Sequence, residues 1–352
     1  MIGIVGGGVA SAKVVDGYRE AGGEEEIVLV SADAHPPYHR PPLSKRLLRG
    51  EAEPPDTLVH PEEWYAENGV DLRLNTRVES IAELGADRIV LATGARPRQL
   101  DGALTLRTLD SALELRRRAS ESKTATVIGG SFIGSEVTAS LTHRGVQVTH
   151  VVRERRLHAA LQAPPLSEAL AAMWQEHGVD LRRDAAGAPA TDFTLAGIGV
   201  ELNLELAHAA GLEVRSGVVV TDRFESSQPG VYAVGDIAEF YDPLYGRHRR
   251  IEHWSTATYH GTQLGKILAG DEEARYSAVS SFFSEVFGYG IRLFGDFTGH
   301  DELDVEGDFR AGKAIGRYRK GGHTIAAVTT GQDDAAYAAL EEEIRAGAAA
   351  LR

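Results

Sequence analysis

The sequence predicts an α/β protein: two doubly wound units in tandem, then a small α+β domain. Three observations carry this reading. The chain opens with strand, glycine-rich turn, helix and strand over residues 2–33. The same order recurs from Ala125, with the two turns starting at Gly6 and Gly129, about 123 residues apart; such self-similarity is the mark of a repeated fold. From Tyr276 the texture changes to short, glycine-punctuated segments that read as antiparallel strands.

Each element follows from its residues. "IGIV" is the first strand, Gly6, Gly7 and Gly8 form the turn, and a helix runs from about Ala10 to Ala21 until Gly22 and Gly23 stop it. "IVLV" is the second strand, apolar throughout, as parallel strands buried on both faces are. In the second unit "ATVI" is the strand, "GGS" the turn, Phe132 opens the helix, Gly145 stops it and "VQVTHVV" follows. Between the units, "RIVLATGARPR" reads as a buried strand ending at Thr93 and Gly94. "GVYAVGDIAEF" is another, ending at Gly235 and Asp236. "DDAAYAALEEEIRAGAAAL" closes the chain as a helix, with Asp333 and Asp334 at its positive end.

Composition narrows the function. The 352 residues suffice for two or three domains, and 43% hydrophobic with 25% charged content is ordinary for a globular protein. No apolar run approaches a membrane span, and "MIGIVGGG" has neither a basic flank nor a cleavage site, so a cytoplasmic protein is expected. A net charge of −14 argues against a nucleic-acid binder. With no cysteine, there is no catalytic thiol, redox pair or cysteine-held metal centre. If the protein moves electrons, its own side chains do not carry them.

Several motifs carry chemistry. Gly6-x-Gly8-x-x-Ser11 is a dinucleotide turn in which Gly6 permits the tight bend and Gly8 the close approach of a pyrophosphate. The helix N-terminus then faces that anion, and Asp33, after the second strand, suits ribose hydroxyls. Gly129-x-Ser131-x-x-Gly134 repeats the turn. There Val152 stands where an NAD site would hold an acid, and Arg153, Arg155 and Arg156 follow. Arginines attract the 2′-phosphate that a carboxylate repels, which favours NADP(H) over NAD(H); the bland alternative is a solvated basic loop. Asp236 sits where open α/β sheets bind ligands, either holding sugar hydroxyls or serving as a helix cap. Trp254, in "RIEHWSTATYHG", either stacks on a flat cofactor or is core. "PPYHRPPLSK", residues 36–45, is a loop stiffened by four prolines yet loaded with Tyr38, His39, Arg40 and Lys45.

Taken together, the two turns, "LATG" and "VGD" resemble the flavoproteins with two dinucleotide-binding domains. "PYHRPPLSK", "EHW", "TLRTLDSALELR", "GGSFIGSEV", "GIGVELNLELA" and "FFSEVFGYGIRLFG" are similar to the ferredoxin-reductase-like branch of the pyridine nucleotide oxidoreductases. That branch includes oxygenase-coupled ferredoxin reductases, rubredoxin reductases and apoptosis-inducing factor. The resemblance implies two Rossmann-like domains, for FAD and NAD(P), plus a small α+β C-terminal domain. The FAD domain would span 1–108 and 228–275, the NAD(P) domain 109–227 and the C-terminal domain 276–352.

The resemblance also implies roles. Arg40 would hold FAD phosphate or ribityl oxygens, and Lys45, partnered by Glu136, would sit near flavin N5. Trp254 would stack near nicotinamide and flavin, and Phe132 would cover the flavin until nicotinamide enters. The matching blocks also carry Val78 and Gly199 into the set of cofactor contacts. The implied activity is hydride transfer from NAD(P)H to FAD, with electrons passing to an external acceptor, a small iron–sulfur protein. A diaphorase-like reductase of small molecules and a redox-sensing interaction protein are the rivals. A monomer or homodimer is implied, with "GRHRR", residues 246–250, as a docking patch for an acidic ferredoxin or else a solvated strand edge.

The chain departs from the pattern in four places. About eight residues replace a longer β excursion between "NTRVESI" and "RIVLATG", and a second excursion after "GVDLRRD" is also shortened. Ala32 replaces the first of two acids, and Phe283 replaces a tryptophan. The last two changes imply a weaker ribose grip and looser packing against the flavin ring, whereas the shortened excursions touch none of the motifs.

Overall fold

The computed structural model describes residues 1–185 and 187–352. Contacts group them into two compact units, Met1–His39 with Pro54–Arg96 and Glu201–Ala278, and Arg40–Glu53 with Pro97–Val200 and Val279–Arg352.

The first unit is built on five parallel strands in the order Val231–Ala233, Arg88–Leu91, Ile2–Val5, Ile27–Val30 and Val70–Arg73. The opening strand is buried at all four positions and pairs on both sides, Ile4 facing Leu29 and Val90. This double burial is why the sequence there is unbroken Ile and Val. The first helix spans Val9–Glu20, one residue earlier at each end than the sequence suggests. It packs on the helix Trp254–Leu268 so closely that a Cβ at Gly261 would strike the carbonyl of Ala10. A second sheet joins Val218–Val220, Ala238–Asp242 and Arg247–Arg250.

The second unit holds four parallel strands in the order Asp180–Arg183, Gln147–Val152, Thr124–Ile128 and Phe193–Ala196. The helix Phe132–His143 follows the second glycine turn. The tail forms an antiparallel sheet in the order Ser281–Val286, Tyr289–Gly295, His323–Thr330, Lys313–Lys320 and Glu302–Asp308. The closing helix, Asp334–Ala350, is capped by the Asp333 side chain, which accepts from the Ala336 amide at 2.9 Å.

Residues of the tail sheet and the parallel layer share one core, in which Val152, Leu157 and Trp174 cluster with Val286, Ile291 and Phe309. That shared burial is why the tail groups with residues 97–200 by contact. The sequence reading cuts the chain by cofactor instead. By contact, residues 201–227 group with the first unit and 40–53 with the second.

Candidate functional site

In the first unit the glycine turn has the geometry its residues require. Gly6 sits at φ +129°, and a Cβ there would collide with the carbonyl of Ala92. Ser11, in place of the third glycine, is buried and donates its hydroxyl to the Gly6 carbonyl at 2.5 Å, closing the turn on itself. Gly8 caps the helix with no side-chain bond and no acid in the first turn, leaving the end dipole to an outside anion. Asp33 is half-buried and already engaged: Oδ2 accepts from the Tyr38 hydroxyl at 2.8 Å and Oδ1 from the His35 amide at 3.2 Å. Tyr38 thereby ties the proline loop to the residue proposed for ribose.

Thr93 and Gly94 are fixed by a residue the sequence reading passed over. Asn203 accepts from the Thr93 hydroxyl at 2.7 Å through its carbonyl, donates Nδ2 to the Thr93 carbonyl at 2.8 Å, and donates its amide to Gly94 at 3.0 Å. Gly235 adopts φ +74° at the end of its strand, and Asp236 follows, half-buried, in a short 3-10 turn. Trp254 is half-buried at the start of its helix, and its indole donates to Nδ1 of His39 at 3.0 Å. Val78 lies in the hydrophobic core of this unit.

The second unit repeats the turn. Gly129 sits at φ +122°, and a Cβ on Gly134 would run into the Gly129 carbonyl, so only glycine lets strand and helix approach this closely. Ser131 caps the helix without a side-chain bond, again with no acid in the first turn. A buried relay not foreseen from the sequence braces this turn. Trp174 donates Nε1 to Nδ1 of His150 at 2.9 Å, and Nε2 of His150 donates to the Gly129 carbonyl at 2.8 Å. Burial pushes the His150 imidazole down to about 4, so it is neutral. His158 lies close by. Its amide bonds the Gly130 carbonyl at 2.7 Å, and its ring packs on Phe132 at 4.5 Å, with Phe282 at 4.4 Å from the same ring.

Lys45, at the end of the proline loop, and Glu136, on the helix of the second glycine turn, come together although they are far apart in sequence. Nζ of Lys45 lies 2.7 Å from Oε2 of Glu136, with side-chain exposures of 11% and 4%. Glu136 also accepts from the hydroxyls of Ser44 and, at 2.6 Å, Ser284. Phe283, which stands where the resembling sequences carry a tryptophan, is 43% exposed, and Nζ of Lys45 lies 5.9 Å from its ring. Arg40 donates Nε to the carbonyl of Arg107 at 3.3 Å. Gly199 takes φ +100°, and its carbonyl accepts from the Arg98 amide at 3.0 Å.

Val152 is fully buried, and the loop after it exposes Arg153 and Arg155, whose side chains are 91% and 86% accessible. Both have carboxylate neighbours, Glu154 at 3.2 Å and Asp184 at 3.8 Å. These acids weaken the local positive field, which the sequence reading, counting arginines alone, did not weigh.

Packing engages part of the expected docking patch. In the strand Arg247–Arg250, Arg249 is paired with Asp242 at 2.7 Å with side-chain exposures of 8% and 0%, and Arg250 is paired with Glu252 at 2.5 Å. Two of the three arginines in the expected docking patch are therefore paired with carboxylates within the fold.

A model of the pyridine nucleotide-disulphide oxidoreductase family matches residues 2–261. The chain belongs to this family. Putidaredoxin reductase CamA of Pseudomonas putida is 34% identical over 348 residues, covering 86% of this chain and 82% of that protein. A rubredoxin-NAD(+) reductase of Ectopseudomonas oleovorans is 29% identical, covering 86% and 88%. Among solved structures, the covalent putidaredoxin reductase–putidaredoxin complex superposes with a TM-score of 0.92 at 31% identity, covering 98% of this chain and 93% of that one.

The protein is thus a pyridine nucleotide oxidoreductase of the ferredoxin-reductase-like branch, with Rossmann-like α/β domains, and an FAD-dependent NAD(P)H reductase. With no cysteine, the chain has no disulfide or thiol of its own. Both glycine cradles, which a Cβ would fill, and both helix ends without a side-chain cap fit dinucleotide phosphates. Among the described residues no helix is long and apolar enough to cross a membrane.

Proposed function

We propose that this oxidoreductase passes electrons from a reduced nicotinamide to a small iron–sulfur protein. The observation that carries the reading is the buried Lys45–Glu136 pair, joined to the serines on either side of it. When bound, FAD supplies the redox chemistry, taking hydride from nicotinamide C4 at N5 and releasing electrons singly to the acceptor. The chain supplies position and charge. Gly6, Gly8 and Ser11 cradle the FAD pyrophosphate, and Asp33 and Asp236 take its hydroxyls, with Thr93, Gly94, Gly235 and Val78 shaping the pocket. Arg40 reaches phosphate or ribityl oxygens. Lys45 offsets negative charge at the flavin, and Glu136 pairs with that ammonium and holds it in place. Gly129, Ser131 and Gly134 receive the nicotinamide dinucleotide, with Gly199 and Phe132 in the same unit, and the role carried over to Trp254 by resemblance is to stack near the nicotinamide. The domains assigned to FAD are 1–108 with 228–275, to the coenzyme 109–227, and 276–352 completes the reductase.

Two considerations bear on the coenzyme. The absence of an acid at Val152 with Arg153 and Arg155 beyond it supports NADPH. The names of the relatives, NAD(+) reductases, support NADH as the second reading. The acceptor reading rests on relatives whose names and complexes involve ferredoxins, rubredoxin or putidaredoxin.

The test is anaerobic stopped-flow reduction of the FAD-loaded protein by NADPH and by NADH, followed by cytochrome c reduction with and without an added ferredoxin. Fast bleaching and ferredoxin-dependent cytochrome reduction are expected. Dye reduction without any response to ferredoxins would leave a small-molecule reductase. Slow bleaching with both coenzymes would point to a sensor.

A further inference from the structure

The proline loop and the "EHW" segment are joined by a bond whose direction depends on a proton. Indole Nε1–H is a donor only, so the nitrogen that receives it must carry no hydrogen. In this protein that nitrogen is Nδ1 of His39, 3.0 Å away and 215 residues distant in sequence. The rings meet edge to face at 5.4 Å and 66°. His39 is therefore neutral, with its proton on Nε2. The backbone beneath it is firmly held: its amide bonds the Thr57 carbonyl at 2.8 Å, Tyr38 bridges to Leu58, and Pro41 and Pro42 follow directly. A stiff loop thus presents one acceptor to one donor.

We propose that His39 is a positioning residue, whose Nδ1 fixes the indole plane of Trp254 and releases it when the imidazole is protonated. The proposal rests on the reading of Trp254 as a nicotinamide neighbour. A protonated His39 would turn an N–H toward the indole N–H, and the two donors would repel. The surroundings oppose that charge. Burial, and after it the neighbouring Lys13 and His60, lower the affinity of His39 for a proton. Lys13, on the first helix, and His60, before the helix Glu62–Glu67, each bond Asp16 at 2.7 Å. His253, next to Trp254, is also held neutral by burial. The acceptor state consequently persists through neutral pH and is lost in acid.

The test uses FAD-loaded protein labelled with ¹⁵N at indole, whose three tryptophans are Trp64, Trp174 and Trp254; Trp254→Phe assigns the resonance. His39→Leu removes the acceptor. His39→Asn keeps one, since amide Oδ1 sits where Nδ1 does, and cannot titrate. Expected are a Trp254 indole signal that shifts in acid in the parent, moves upfield with faster hydrogen exchange in His39→Leu, and stays pH-independent in His39→Asn. Flavin reduction at saturating coenzyme should fall about tenfold in His39→Leu and recover in His39→Asn. An unmoved indole signal in His39→Leu would overturn the bond, and a moved signal with an unchanged reduction rate would overturn its positioning role. If Trp254→Phe itself leaves reduction unchanged, the reading of Trp254 fails while the His39 bond stands.

Discussion

Nζ of Lys45 lies 2.7 Å from Oε2 of Glu136, and both side chains are buried. The carboxylate takes further hydrogen bonds from Ser44 and Ser284, so its lone pairs are well occupied. A buried ammonium that loses its partner costs roughly 3–5 kcal/mol. Glu136→Leu should lower stability by about that amount and slow flavin reduction, and the urea midpoint reads the first effect. Adding Lys45→Met should restore most of the stability and none of the rate, because the charge itself is gone. A fully stable Glu136→Leu single variant would show that the pair is not structural. Ser284→Ala should cost roughly 1.5–3 kcal/mol, as the loss of a hydrogen bond to an ionised group does.

Gly134 faces the Gly129 carbonyl with no room for a methyl group. Gly134→Ala should weaken nicotinamide coenzyme binding at least about tenfold while the flavin absorbance of the purified protein persists. The corresponding change in the other turn, Gly6→Ala, combines a Cβ clash with an unfavourable positive φ and should instead give a protein that loses its yellow colour. Equal loss of both cofactors in either variant would mean general unfolding, and circular dichroism would report it.

Arg153 and Arg155 are exposed beside Glu154 and Asp184. If they receive a 2′-phosphate, Arg153→Ala with Arg155→Ala should reduce kcat/KM for NADPH about tenfold or more with NADH little affected. Glu154→Gln should act the opposite way, raising the NADPH-to-NADH ratio by removing a like charge from the phosphate. A ratio that moves in neither variant would leave the arginines as a solvated loop and NADH as the coenzyme.

Acid should destabilise the protein through its buried histidines. Burial holds His150 near 4 and His158 and His260 near 3, against an ordinary value of 6.5. The unfolded chain therefore binds protons that the folded chain refuses. Stability is full above about pH 6.5, falls as pH drops below it, and levels off near the folded values. Melting temperatures measured from pH 8 to pH 4 should fall steadily below pH 6.5, and a flat profile there would contradict the burial of these rings.

Much of this protein was legible before any coordinates. Strands such as "IVLV", glycine turns at Gly6 and Gly129 and the closing helix are local matters, set by side-chain periodicity and by which residues tolerate positive φ. Those forces act within a few residues, so the sequence alone determined the two Rossmann-like layers, the antiparallel tail and the candidate residues on their turns. Tertiary structure decided which distant groups meet. Nothing in "FFSEV" says that Ser284 bonds Glu136, nothing in "GIGVELN" that Asn203 clasps Thr93, and nothing in "PYHRPP" that His39 receives the indole of Trp254. Nor does "GRHRR" reveal that Arg249 is buried against Asp242 rather than offered to a partner. Buried polar groups must find partners at ångström precision or pay full desolvation. The chain meets that demand only once packing has fixed where each one lies.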